Sequence, residues 1–443
     1  MKKISYLLLL IITAAISCKK EDTISTGIRP VDVTVNLSYG LDSSKYKLPV
    51  GGITVKMTNT NSGTVQTATS NDSGRVRFTN VQAGAYDIDA MVTIADTTYY
   101  RITGNLIEEN ITFNASEKNT RVAVGDEIKL NLTLVAGTVG DWVIKQIYYA
   151  GSHTTQGALY RDQFIELYNN TDKVLYADSI YIGQLFGRQS LTRNNTHVLP
   201  NGQVDWTHSV GMNPNIDANN DYVYTRSILM VPGNGTTYPV QPGSSIIIAQ
   251  TALNHKTPFT GANGNTISVK DPSLTVDLSG ADFEAYYGDF AGSPLASDID
   301  NPEVPNMVVY QYNGRDYILD NPGRDAYIIF KVDASQNVRN WPSYPLPTLA
   351  PPPSTADYYI QVPNQYIIDG VEVQPSAAED RIPKKLNAAF DAGFTFVPKG
   401  SYSSQSVIRK TARTVNGRII LKDTNNSTED FDYLDFANPR GFK

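Results

Sequence analysis

The chain has 443 residues, of which 41% are hydrophobic, 18% charged and 10% aromatic, with a single cysteine. That length corresponds to about two to three domains and is ample for real cores without disulfide or metal staples. The 32 glycines without a fixed period and the low charged fraction exclude collagen-like and coiled-coil chains, and 27 Tyr with 14 Phe exclude wholesale disorder. The net charge is −7 with no cluster of Lys and Arg, so there is no electrostatic footing for nucleic acid.

The N-terminus carries Lys2 and Lys3, then an apolar stretch from Ile4 to Ile16 centred on the run 7–12. A basic start and a short apolar core predict a secretory signal over residues 1–17. The run is shorter than the about 20 apolar residues a membrane span needs. Ala15-Ile16-Ser17-Cys18 resembles a lipobox. The resemblance implies that the Cys18 thiol takes a diacylglycerol and becomes the mature N-terminus. The alternative is an ordinary signal peptide with a chance cysteine. Each buried methylene contributes about 0.8 kcal/mol, so two or more acyl chains anchor firmly. Lys19, Lys20, Glu21 and Asp22 follow. Lysine followed by acidic residues resembles the surface-export signal of Bacteroidota-type lipoproteins, which implies an outer-membrane, lipid-anchored protein at the cell surface. Residues 18–29 read as a flexible tether.

Residues 30–135 read as a small β-sandwich. Val31, Val33, Val35 and Leu37 alternate, as do Ile53, Val55 and Met57. Asn61-Ser62-Gly63 and Asn71-Asp72-Ser73-Gly74 are turn signals between strands. The apolar strand near Leu48 to Val55, the polar turn 71–74 and Gly84-Ala85-Tyr86 together resemble the carboxypeptidase-regulatory-like, or prealbumin-like, sandwich. That module implies a fold and is nearly silent on function.

Residues 138–443 read as a larger β domain. Trp142 and Ile144 open it, and Phe164-Ile165-Glu166-Leu167-Tyr168-Asn169 follows. With Pro242-Gly243 leading into the apolar run 244–249, these segments resemble the lamin-tail-like immunoglobulin fold. Asp325 to Phe330 and Arg418 to Leu421 are further strand candidates. The stretches 190–237 and 251–310 read as long loop insertions, which cost little on a surface and are where binding resides. Residues 341–353 hold six prolines and read as a loop or polyproline-like strap. One short helix is predicted over 384–392, from Leu386, Ala389 and Phe390 at helical spacing between Pro383 and Gly393. Near the C-terminus, Asp423-Thr424-Asn425-Asn426-Ser427 with Asp430-Phe431 resembles the ending of an uncharacterised Bacteroidota lipoprotein family of unknown function. The expected fold class is therefore all-β, with a small sandwich followed by an immunoglobulin-like domain.

Candidate chemistry is sparse. Asp217, Asn219 and Asp221 match the opening of a calcium loop. The glycine and bidentate glutamate of such a loop are missing, since Tyr222 and Ile228 stand there, so an Asx-rich turn is the competing reading. Asp423, Asn425 and Ser427 repeat the spacing, with loop ordering favoured over metal. The four histidines, His153, His197, His208 and His255, show no metal-ligand spacing. No nucleophile elbow, P-loop or dinucleotide fingerprint is present. Paired carboxylates stay open because their separation is a three-dimensional quantity. Glu166 reads as a residue of the fold. Tyrosine pairs at 148–149, 222/224, 286–287, 310/312 and 358–359 put one ring outward on a strand, suited to sugars or peptides, with ordinary strand propensity as the favoured competing reading. Asp178-Ser179-Ile180 and Asp96-Thr97-Thr98 resemble short O-glycosylation sites. No catalytic residues and no cofactor are expected. The leading expectation is a non-enzymatic surface lipoprotein that binds a glycan or peptide, or serves an outer-membrane β-barrel receptor. The alternatives are a stand-alone adhesin or matrix protein and a carboxylate-based hydrolase.

Overall fold

The computed structural model describes residues 31–40, 46–104, 110–123, 128–136, 140–291, 293–333 and 335–443. Cys18 and the run Lys19 to Asp22 lie outside the described residues. Seven strands form the first sheet: β1 Val31–Tyr39, β2 Thr54–Asn59, β3 Val65–Thr69, β4 Arg75–Val81, β5 Gly84–Ile94, β6 Ile111–Val122 and β7 Ile128–Ala136. Their order is β3-β2-β5-β6-β7-β1-β4. Alternation sets the faces: Val55 and Met57 of β2 are fully buried while Thr54 and Lys56 between them point to solvent. Val33, Val35, Phe78, Ile88 and Phe113 complete that core. The Asn71–Gly74 turn needs its glycine. Gly74 has φ +77°, and a Cβ there would stand 2.6 Å from the carbonyl oxygen of Leu37. Asn71 Oδ1 closes the turn by accepting from the amides of Ser73 and Arg75.

β1 and β7 are parallel, paired from Val33↔Ile128 to Tyr39↔Leu134. The chain thus enters this unit at one end of the sheet and leaves at the other, about 30 Å apart for nine residues at about 3.3 Å each.

Beyond residue 140 two sheets pack face to face. One has six strands: Phe283–Glu284, Ser245–Ala249, β9 (Phe164–Asn169), β8 (Trp142–Tyr148), Ser406–Arg409 and Phe431–Leu434. The other runs Ser343–Pro345, Tyr358–Pro363, Tyr222–Met230, Tyr181–Leu185, Ala326–Phe330 and Ile367–Glu372, with Val308–Gln311 added on Tyr222–Met230. Ile144, Leu167, Ile248, Leu229, Ile329 and Val371 share the core between them. The Phe164–Asn169 strand and the apolar strand after Pro242-Gly243 lie side by side, Ser245 opposite Tyr168. The fold is all-β and multi-domain.

Three expectations are corrected. The stretches 190–237 and 251–310 are not wholly insertions, because Tyr222–Met230 is a central strand of the second sheet and Phe283–Glu284 an edge strand of the six-stranded one. Tyr148 and Tyr149 are both buried, since β8 is covered on both faces. No helix forms over 384–392, where the chain makes turns. The amides of Lys385 and Leu386, which would open that helix, are donated to the buried Glu372 carboxylate, and Lys384 Nζ donates to the Asp391 carbonyl. Within the segment the amides of Phe390 and Asp391 turn back onto the Asn387 carbonyl, and no longer helical ladder forms. The described α-helices are Asp96–Thr103 and the single turn Ser427–Asp430.

Arg409 is buried at the junction of the layers. Its guanidinium donates to Asp369 at 2.7 Å, to Asp423 at 3.0 Å and to the carbonyl of Ile144 at 2.9 Å, and Asp430 lies 3.7 Å away. Burial works against the guanidinium, but the three carboxylates outweigh it and hold the arginine charged. Asp423 also accepts from the amide of Gly140, and Asp430 from the amides of Thr424 and Asn426. The Asp423-Thr424-Asn425-Asn426-Ser427 string is thus a structural knot. Removing one partner from a buried ion cluster typically costs about 3–5 kcal/mol, because the other charges stay unpaired. Arg409→Ala is expected to lose stability on that scale in chemical denaturation, whereas Arg193→Ala, at an exposed loop position, should change it little.

Candidate functional site

The first sheet turns a polar face toward the second unit. Register puts Thr58 opposite Asp87 and Lys56 opposite Asp89. Asp89 in turn pairs with Ser116 on β6. The β5–β6 register slips between Tyr86 and Ile88, so Lys118 and Asn119 together oppose Asp87 in a bulge with one extra residue. Asn119 takes φ +56°, a left-handed conformation that asparagine tolerates. Its amide donates to Asp87 at 2.9 Å. The Asp89 carboxylate accepts from Ser116 Oγ at 2.7 Å and Lys118 Nζ at 2.5 Å. Burial pulls the Lys118 ammonium down, but Asp89 and Asp87 outweigh it and the group stays raised.

The opposite wall comes from residues 374–384, Phe394, Thr428 and the loop bearing Leu191, Asn201 and Gln203. Between the walls lies a cleft of about 450 Å³, within the usual size of small-molecule sites. On that wall Arg381 stacks over Phe394 and Phe396 at 4.8 and 4.9 Å. Its guanidinium also donates to the carbonyls of Pro375 and Ser376. Burial lowers both Arg381 and Lys384. The two units are tied beside the cleft by Asn114 Nδ2, which donates to the Thr424 carbonyl at 2.6 Å. Gly202 closes one rim beside Asn119 and Pro383.

The residues singled out from sequence lie elsewhere. Asp217 caps its own turn by accepting from the Asn220 amide, and Asn219 Oδ1 accepts from Trp206 N. These side chains close the turn that holds Trp206 against Tyr224 rather than facing a common ion. Among the described residues no group of three His, Cys, Asp or Glu side chains is placed to hold a metal. His197 and His208 stack at 4.2 Å with nearly parallel rings. Lone pairs lie in the ring planes, so parallel stacked imidazoles do not aim at one cation. His255 is buried, donates from Nε2 to the Thr251 carbonyl, and burial pushes it down to about 4. Glu166 is buried against Lys145 at 2.9 Å and accepts from Ser245 Oγ and the Arg440 amide. Asp178 accepts from the amides of Gly235, Thr237 and Tyr238, which shapes that loop and holds its carboxyl at about 2 against the opposing pull of burial. Tyr358 is exposed and Tyr359 buried, the alternation expected of a strand.

Nothing local in the sequence marked the cleft. The polar rows 54/56/58 and 87/89 are visible as the solvent side of alternating strands, but the bulge and the facing wall depend on contacts far apart in the chain.

Residues 241–436 match a family described as a protein of unknown function, DUF4876. A DUF4876 family protein from Bacteroides thetaiotaomicron has a similar crystal structure, with 26% identity and a TM-score of 0.51 over 91% of this chain and 95% of that one. Fervidolysin from Fervidobacterium pennivorans, a keratinolytic enzyme, is 14% identical with a TM-score of 0.19, over 46% of this chain and 25% of that one. A candidate adhesin from Bacteroides ovatus is 10% identical with a TM-score of 0.18, over 48% and 81%. The last two likenesses are too slight to bear on function. No curated protein matches the chain.

Carboxylates in the core titrate unusually. Burial raises Asp162 and Asp316 to about 7. Asp162 accepts from Tyr148 OH, and Asp316 from Gln250 Nε2. A folded-state value above the unfolded one, about 3.9, stabilises the fold at low pH, and that contribution is lost as pH rises toward 7. Asp316→Asn removes one such group. Its stability relative to the parent protein should therefore improve between pH 5 and pH 8, read from thermal melts. A difference that stays flat with pH would contradict the assignment.

Proposed function

We propose that this chain is a lipid-anchored outer-membrane protein displayed on the cell surface. In this reading it is a non-enzymatic binding or accessory module that works alongside an outer-membrane β-barrel receptor. The observation that carries the reading is Cys18, the one cysteine of the chain, placed directly behind a basic and apolar signal-like segment and before Lys19-Lys20-Glu21-Asp22. A cysteine otherwise absent from an exported chain fits an anchor better than a core residue. Among the described residues no helix is long and apolar enough to cross a membrane. The non-enzymatic part is supported by how the carboxylates are used. Asp178, Glu372 and Asp391 accept backbone amides and order loops, and Asp369 holds Arg409.

Cys18→Ala should abolish acylation and release the protein from membranes, read by fractionation and intact mass. A variant that stays membrane-bound would overturn the anchor. Replacing Lys20-Glu21-Asp22 with neutral residues should protect the protein from protease added to intact cells, and undiminished cleavage would count against surface export. Mild cross-linking of intact cells followed by mass spectrometry reads the partner. A stoichiometric β-barrel supports the accessory role, and recovery of the protein alone removes it.

A further inference from the structure

We propose that the cleft between the two units is a binding site for a neutral oligosaccharide. This deepens the reading of the chain as a binding module and is independent of its anchor.

The chemistry of the walls selects the ligand class. The lining holds four cations, Lys56, Lys118, Arg381 and Lys384, against three carboxylates, Asp87, Asp89 and Glu379, with Lys118 paired to Asp89 and Lys56 opposite the same carboxylate in register. Neither sign of charge dominates, which leaves little field to favour a strongly charged ligand. The floor is the face of a sheet: β2 and β5 are inner strands paired on both sides, while β6 pairs with β5 along its length and with β7 at Phe113 and Asn114. A peptide adding itself as a strand finds no free ladder on β2 or β5. What remains to the ligand is a set of hydroxyl and carboxamide groups on rigid strands and turns, Thr58, Asn61 and Asn119, beside the Asp87 carboxylate and the ring of Phe394. Carboxamides and carboxylates each offer paired donors or acceptors at the spacing of vicinal hydroxyls, and an aromatic ring contacts the apolar face of a sugar.

The β6 bulge is what completes the site. By inserting an extra residue opposite Asp87 it sends both Lys118 and Asn119 to the cleft side, where strict alternation would allow only one. Bulges commonly re-aim side chains in this way next to functional sites.

The test uses the full chain solubilised in detergent. A glycan array carrying neutral α- and β-linked glucans, mannans, xylans, galactans and mucin-type glycans, with heparin and polygalacturonate as anionic comparators, identifies the probe. Titration calorimetry with the corresponding hexasaccharide then gives the affinity. The expected result is saturable binding of a neutral glycan in the micromolar to low millimolar range. Asn61→Ala/Asn119→Gly should weaken it at least tenfold with an unchanged melting temperature, since glycine accepts the left-handed backbone at 119. Thr58→Trp, a surface change that fills the cleft, should abolish it. The inference is overturned if no neutral glycan binds, if only the anionic comparators bind, or if Thr58→Trp binds as tightly as the parent. The two readings fail separately. Cys18→Ala should release the protein from membranes without changing glycan affinity, and the cleft variants should stay membrane-attached.

Discussion

The structure depends on a single buried arginine. Arg409 sits at the end of a six-stranded-sheet strand, Asp369 on the facing seven-stranded sheet, and Asp423 and Asp430 on the last loop and helical turn. One guanidinium therefore fixes the spacing of both layers. Three carboxylates around one cation leave an excess of negative charge, and burial raises Asp430 to about 6 despite the arginine. The excess is absorbed by backbone donors: Ile144 and Gly140 amides on Asp369 and Asp423, and Thr424 and Asn426 amides on Asp430. Such a cluster is poor value as stabilisation against an apolar core, but it is strongly selective for one arrangement, since any shift leaves a charge bare.

That selectivity extends to the first unit. Asp423 holds Gly140, where the chain passes from the first sheet to the second pair, and the neighbouring Thr424 carbonyl receives Asn114 of β6. Ser427 and Asn426 continue the knot, with Ser427 bonded to Asp391 and Asp391 to the amide of Glu372. Glu372 in turn holds the 384–386 backbone that forms part of the cleft wall. A chain of buried polar contacts thus runs from Arg409 to the rim of the cleft. The cleft is wide because its walls are held by these bonds and not by packing against each other.

What was legible in the sequence follows from the same distinction. Period-two alternation is a local property, so β1, β2 and β4 of the first unit, the Asn71–Gly74 turn and the Phe164–Asn169 strand could all be read directly. The Asp423 to Ser427 string was readable as an ordering motif through its short-range bonds, such as Thr424 to Asp430, whereas its bonds to Gly140, Asn114 and Asp391 were not. The helix expected at 384–392 does not form, and the segment is instead tied to residues far off in the chain, with the Lys385 and Leu386 amides on Glu372 and the Gln203 side chain on the Lys384 carbonyl. Tyr222–Met230 was hidden for a related reason. It is bracketed by long irregular segments, and its place in the sheet is set by Tyr181–Leu185 and Tyr358–Pro363. The cleft was illegible altogether, since a bulge shows only as a slip of register against another strand.

The topology also orients the cleft relative to the proposed anchor. β2 pairs Asn59 with Tyr86, and β5 begins at Gly84 opposite Val122, so the β2–β3 turn with Asn61 lies at the same end of the sheet as Val31. Asn61 of the cleft lining therefore lies at the end of the sheet where β1 begins. On the proposed anchor at Cys18, the dozen residues before Val31 would set an upper bound of about 40 Å between that end and the membrane surface. With a β-barrel alongside, as proposed, the tether converts delivery into an intramolecular encounter at high effective concentration. A modest affinity in the cleft then becomes an advantage, because a ligand held too tightly would not be released to the partner.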